Sequence, residues 1–342
     1  MKHILVVDFK ATNLESAMQA LKDNFMVTTL TSEKESLDFL ADHHIDLILL
    51  DLHLQISNGY EIITKLKRNS GTAGIPILFI TEQNDRESAL KGIELGADDF
   101  IATPFAPEIL VSRVNTFLEL YEYRSRSAMI EHFQDAIAVS FAELVEYRDE
   151  TTGGHIKNTT RYFKILLDEV VKHKEYQKVL PPEDVKELLR SAPLHDIGKI
   201  GITDDILRKS STLDTHEFEY MKTHTILGEA TFDKIIAETG STRFLYLAKD
   251  LAFCHHERWD GTGYPRGLKG EEIPLHARIL TIADVYDALT SKRSYKEAFS
   301  HEKAKEIIIE GKGSFFDPNL IPIFIESSDR LKEALLMKNQ NS

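Results

Sequence analysis

The chain has 342 residues, 42% hydrophobic and 28% charged, the balance of a globular protein with room for two domains. Its 41 basic and 55 acidic residues leave a formal charge of −14, which argues against a nucleic-acid or anionic-membrane surface, so an anionic ligand must be drawn by a local feature such as bound metal. The single Cys254 excludes an internal disulfide framework and suits a reducing cytosol, and no apolar run has signal-peptide or membrane-spanning length, so the expected location is cytoplasmic, with no membrane contact.

The first third alternates short apolar runs with helical spacing. Residues 4–7 read as a buried strand ending at Asp8, and Leu14, Ala17, Met18 and Leu21 then follow a helical period. Residues 46–50 form a second run, ending at Asp51; Ile62, Ile63 and Leu66 mark a helix after Gly59. A third run, 76–80, ends at Thr81, Ala89, Leu90 and Ile93 resume the helical pattern, and 100–101 precede Thr103-Pro104-Phe105. Such alternation implies an α/β doubly wound parallel sheet covered on both faces, with function gathered at the carboxyl ends of its strands. Asp8, Asp51, Thr81 and Thr103 all fall there.

This pattern resembles the flavodoxin-like receiver domain of two-component response regulators over about residues 1–120. The resemblance makes Asp51 the phosphoacceptor, Asp8 an acidic magnesium-site position and Thr81 the switch hydroxyl, and it implies a sensor histidine kinase as partner. Two departures stand out. The family has two adjacent acids after its first strand, where this chain has Asp8-Phe9, and a lysine where this chain has Thr103. Phosphotransfer to an aspartate needs a divalent cation and a fixed cation nearby, so part of each is missing. The receiver therefore reads as degenerate, a fold kept for dimerisation or partner docking, against the alternative of a working phosphoswitch.

A helix is expected from Phe105 toward Val145, with a break near Ser125-Arg126-Ser127, and 121–145 serve as a connector. Ile130, Phe133, Ile137, Phe141 and Leu144 continue an apolar stripe along it. That stripe suits either packing on its own domain or a homodimer.

The remainder, 146–335, reads as an all-α helical bundle rich in histidine. His195-Asp196 offers two metal ligands from neighbouring positions. On a helix their side chains diverge by about 100°, so they hold one ion from two sides or let the carboxylate bridge to a second. Lys199, four residues after His195 and three after Asp196, would share that face. His155 opens a helix after Gly154. His224 lies in a helix capped by Asp214. His255-His256 ends the apolar run 245–253, and Asp284 stands on a further helix with Asp287 one turn on. Distant helices can project imidazoles and carboxylates into one bundle core, a donor set suited to iron, manganese, zinc or nickel. Cys254 reads as a core thiol. The segment 256–265, with Trp259 and three glycines by Gly267, reads as an ordered loop able to wall a base-bearing ligand.

His195-Asp196 with Gly198-Lys199, then His255-His256, then Gly263-Tyr264-Pro265 resembles the HD-GYP branch of the HD phosphohydrolases, over about residues 130–330. The resemblance implies hydrolysis of cyclic di-GMP to linear pGpG, more slowly on to GMP, at two divalent transition-metal ions. Iron or manganese comes first, nickel or zinc as alternatives. It assigns His155, His195, Asp196, His224, His255, His256 and Asp284 as ligands, with Asp196 bridging and Lys199 on the scissile phosphate. Arg293, Lys296 and Tyr264 become substrate contacts, and Phe316-Asp317-Pro318 matches the closing motif. Three-metal members carry a glutamate four residues before the first ligand histidine, where this chain has Thr151, with Glu150 one place off. A third ion is therefore not expected. Two alternatives stay open: an HD hydrolase of another cyclic nucleotide, and a slow or non-catalytic effector acting through partners at the receiver or the Gly-Tyr-Pro loop.

Overall fold

The structure is a computed structural model that describes residues 1–8, 10–52, 59–82, 86–148, 154–209, 211–292 and 297–340. It contains two compact units, 1–131 and 132–342, so the connector expected over 121–145 is divided between them.

In the first unit the elements run β1 (His3–Val7), α1 (Ala11–Leu21), β2 (Met26–Leu30), α2 (Glu33–Asp42), β3 (Leu47–Asp51), α3 (Gly59–Arg68), β4 (Ile77–Glu82), α4 (Arg86–Glu94), β5 (Asp99–Thr103). The strands form one parallel sheet in the order β2-β1-β3-β4-β5. Alternating side chains feed two cores. Ile4, Val6, Leu47, Leu49, Leu78 and Ile80 point to one face, Leu5, Val7, Ile48, Leu50, Ile77 and Phe79 to the other. Burial on both faces explains why these strands read as unbroken apolar runs. Strand β2, with α2 after it, escapes the sequence reading. It is an edge strand, none of its five residues is fully buried, and Thr28-Thr29 interrupt any apolar run.

Asp8, Asp51 and Thr81 lie at neighbouring strand ends and are buried. The Asp8 carboxylate accepts the Lys10 N–H at 2.7 Å and the Asn13 amide at 2.8 Å, so it also starts α1. Thr103 donates its hydroxyl to the Thr81 carbonyl at 3.2 Å. Helix α5 (Pro107–Arg148) follows, unbroken over 42 residues. The break expected near Ser125-Arg126-Ser127 is absent because none of those residues removes a backbone donor or clashes with the preceding turn.

The second unit takes the end of α5, then α6 (His155–Val170), α7 (Pro182–Ser191), α8 (Asp204–Leu207), α9 (Thr215–Thr239), α10 (Arg243–Cys254), α11 (Leu275–Thr290), α12 (His301–Glu310), α13 (Leu320–Glu326) and α14 (Ser328–Gln340). Its main core joins α6, α11 and α13 through Tyr162, Phe163, Tyr286 and Phe324, and a smaller one joins Ala142 of α5 to Ile156, Leu194, Phe232 and Ala248. Asp214 and Glu217 close a capping box at the start of α9. No helix among the described residues is long and apolar enough to cross a membrane.

Burial pushes the Asp8 carboxyl up to about 6 from an ordinary 3.8; its two hydrogen bonds pull the other way and Asp51 adds to the rise. Between those values the folded chain holds a proton that the unfolded chain has released, so stability falls as pH rises through that window. The receiver's melting temperature is expected to drop from pH 4 to pH 7, and to drop less in Asp8→Asn, as followed by calorimetry.

Candidate metal centre

The centre begins with a glycine. Residues Ala192–Leu194 and Ile197–Gly201 are two 3-10 turns, and His195-Asp196 sit between them, not on the α-helix the spacing suggested. A Cβ on Gly198 would lie 1.9 Å from the His224 carbonyl oxygen and 2.6 Å from the Gly228 nitrogen. The turn therefore rests directly on the backbone of α9, a contact that only glycine permits. That contact sets Asp196 against His224. Lys199 still reaches Asp196, at 2.9 Å, because residues three apart eclipse in a 3-10 turn.

Three imidazoles face this carboxylate. Oδ1 lies 3.4 Å from His224 Nε2 and 3.5 Å from His255 Nε2, and Oδ2 lies 3.4 Å from His195 Nε2. The two oxygens thus divide between two ligand groups. Asp196, His224, His255 and His256 form one, and His155, His195 and Asp284 the other, each with its donor atoms within 4.8 Å of one another. His155 Nε2 is 3.3 Å from Asp284. All seven residues expected as ligands are brought together.

The proton positions follow from the second ring nitrogen. His195 Nδ1 meets the Ala192 carbonyl at 2.8 Å, His224 Nδ1 the Met221 carbonyl at 2.7 Å, and His255 Nδ1 the Leu251 carbonyl at 2.9 Å. A carbonyl only accepts, so Nδ1 carries the hydrogen and Nε2 presents a lone pair to the centre. Asp287 does the same for His155, at 2.7 Å from Nδ1, and is itself held by Lys338 at 3.1 Å. These outer contacts fix ligand orientation. The sequence placed Asp287 on the right face without giving it a role.

Electrostatics agree with that arrangement. Burial pushes His195 and His256 below the usual imidazole range and His224 down to about 4, so these rings stay neutral. Burial alone would raise Asp196, but Lys199 and the histidines hold it well below the usual carboxylate range. Burial disfavours charge on His155 too, yet its bond to Asp287 and the nearby Asp284 leave it raised. His195 Nε2 and Asp196 Oδ1 are buried without a hydrogen-bond partner among the described residues. Imidazole nitrogens converging on a carboxylate, with these two atoms left unsatisfied, fit a divalent cation. Imidazole and carboxylate donors suit a first-row transition metal. Cys254 is no competitor, since burial pushes its thiol up to about 12.

The rim is formed by the Gly-Tyr-Pro loop. A Cβ on Gly263 would lie 2.3 Å from the Arg258 nitrogen, so the loop folds tightly on itself. Glu257, immediately after the histidine pair, accepts the N–H groups of Arg266 at 2.8 Å and Leu268 at 3.0 Å. Tyr264 is thereby laid 4.8 Å from the His256 ring. Glu146, which no sequence signal marked, accepts the His155 N–H at 2.7 Å and starts α6. Arg278 pairs with Asp317 of the closing motif at 2.6 Å. Arg293 and Lys296, expected to touch substrate, lie outside the described residues, as do Phe9, Glu150 and Thr151.

Two family models match the chain: the HD domain over residues 142–320 and the response regulator receiver domain over 4–115. The chain belongs to the HD domain family. A probable cyclic di-GMP phosphodiesterase of Vibrio cholerae is 40% identical to this HD-domain response regulator, across 94% of this chain and 77% of the relative. The cyclic di-GMP phosphodiesterase response regulator RpfG of Xanthomonas campestris is 30% identical, across 97% and 89%. A 3'3'-cGAMP-specific phosphodiesterase of Vibrio cholerae is 32% identical, across 69% and 44%.

In this HD domain, Gly198→Ala is expected to cost roughly 3 kcal/mol, seen as a lower denaturant midpoint, because the new methyl group must push the turn and α9 apart. Asp287→Ala is expected to weaken manganese binding about 10- to 100-fold in equilibrium dialysis while the fold is retained.

Proposed function

We propose that this protein is a metal-dependent phosphodiesterase that opens cyclic di-GMP to linear pGpG. One observation carries the reading: Asp196 turns one oxygen toward His224 and His255 and the other toward His195, where two groups of imidazole and carboxylate donors each lie close enough together to hold a cation. His224, His255 and His256 would hold one ion and His155, His195 and Asp284 the other, with Asp196 shared. Iron or manganese is the expected metal. When bound, a pair of divalent ions lowers the pKa of water and neutralises charge on a phosphodiester.

The chain's own residues do the rest. Lys199 places an ammonium beside Asp196, where a phosphate oxygen would arrive, and its positive charge offsets the negative charge that develops there. Asp287 keeps His155 in one tautomer. Tyr264, held by the Glu257-clamped loop, closes one side of the centre against water. Arg293 and Lys296 are proposed as further phosphate and guanine contacts. With no glutamate four residues before His155, cleavage is expected to stop mainly at pGpG.

The receiver makes a sensor histidine kinase the expected upstream partner. Thr103, which stands where the receiver family has a lysine, donates its hydroxyl to the Thr81 carbonyl. Docking through the receiver is therefore favoured over magnesium-dependent phosphorylation. A mixed guanine–adenine cyclic dinucleotide is the second reading for substrate, suggested by the 3'3'-cGAMP-specific relative.

Elemental analysis of anaerobically purified protein should give about two transition-metal ions per chain, and cyclic di-GMP supplied with that metal should yield pGpG by chromatography. His195→Ala and Asp196→Ala should each lower that turnover by more than about a hundredfold. A wild-type protein that binds two ions and leaves cyclic di-GMP intact would overturn the reading.

A further inference from the structure

Outside the ligand groups, the first turns of α9 carry side chains that the hydrolytic reading leaves unused. The Phe218 ring lies 6.4 Å from Tyr264 at 81°, and Tyr264 in turn lies 4.8 Å from His256. An aromatic series therefore leads from the buried histidines to the surface, where Phe218 is 45% exposed. Lys222, one turn further along α9, does not extend into water. Its ammonium sits 5.0 Å from the centre of the Phe218 ring and 5.5 Å from that of Tyr264, tied to Glu219 at 2.6 Å. A lone exposed ring is ordinary. Two rings at right angles under a fixed ammonium, continuous with a metal centre, make a site.

We propose that Phe218, Tyr264 and Lys222 form a platform that holds one guanine of the substrate. The proposal deepens the phosphodiesterase reading and rests on it for the substrate class. Any base can stack on an aromatic face, so the rings supply affinity without selecting a base. Lys222 supplies the selection. An ammonium only donates, and guanine offers two adjacent acceptors, O6 and N7, where adenine places an amino donor beside its N7. A platform reading one base admits cyclic di-GMP and a mixed guanine–adenine ring in one orientation, and disfavours a ring with two adenines.

Equilibrium dialysis of the full chain with GMP and with AMP tests this without turnover. Wild type is expected to bind GMP at least about fivefold more tightly than AMP. Phe218→Leu, which keeps apolar volume but no aromatic face, should weaken both by about tenfold, and Phe218→Tyr should bind as wild type does. Lys222→Met should bring the GMP-to-AMP ratio close to one. Equal GMP affinity in Phe218→Leu and wild type overturns the platform. So does a loss in Phe218→Tyr as large as in Phe218→Leu, which would mark a packing role. An unchanged ratio in Lys222→Met overturns the selection. Cyclic di-GMP turnover is read separately: a protein that binds GMP in this pattern and fails to cleave cyclic di-GMP keeps the platform and loses the phosphodiesterase reading.

Discussion

The contact of Gly198 with the backbone of α9 is the constraint on which the centre depends. The 3-10 turn lies so close to His224 and Gly228 that no side chain fits between. Without that approach, His195-Asp196 and His224 would be separated by a layer of side chains, and the Asp196 carboxylate could not reach the imidazoles of two other helices. Helix–helix packing usually keeps axes 8–10 Å apart through interposed side chains. Here a turn replaces a helix, and glycine removes the spacer.

Around that contact the protein assembles groups that would be unfavourable together without a cation. His195, His224 and His255 are all but inaccessible to water, and their lone pairs point at an ionised carboxylate. Each ring is committed through its other nitrogen to a carbonyl one turn earlier in its own segment, so the helices themselves set the tautomers. The energy for holding this arrangement comes from the apolar cluster around Tyr162, Phe163 and Tyr286, which fixes α6 against α11 and hence His155 beside Asp284 and Asp287. Local positive charge from bound metal and Lys199 also reconciles an acidic chain of net charge −14 with an anionic ligand.

The receiver combines a buried parallel sheet with a polar end organised by local hydrogen bonds. The sheet order, the buried Asp51 and the buried Thr81 are those of an alternating α/β domain. Thr103, however, turns its hydroxyl to a neighbouring carbonyl, and Asp8 is engaged by Lys10 and Asn13 at the start of α1. These are hydrogen bonds of a structural kind. They leave the sheet intact.

Buried strands β1, β3 and β4 were legible in the sequence because burial on both faces makes their central residues apolar, and helices α1, α3 and α4 because their apolar residues recur every three or four positions. Strand β2 was not, since an edge strand exposed on one side has no such constraint on its composition. The seven residues of the two donor groups were named through the family resemblance, with the adjacent pairs His195-Asp196 and His255-His256 as its clearest marks. Their division into two groups, the tautomer of each ring, and the roles of Asp287, Glu257, Glu146 and Phe218 came only from the tertiary structure. A sequence records which donors exist; which lone pairs meet, and across which backbone contact, depends on packing between segments as far apart as His155 and Asp287.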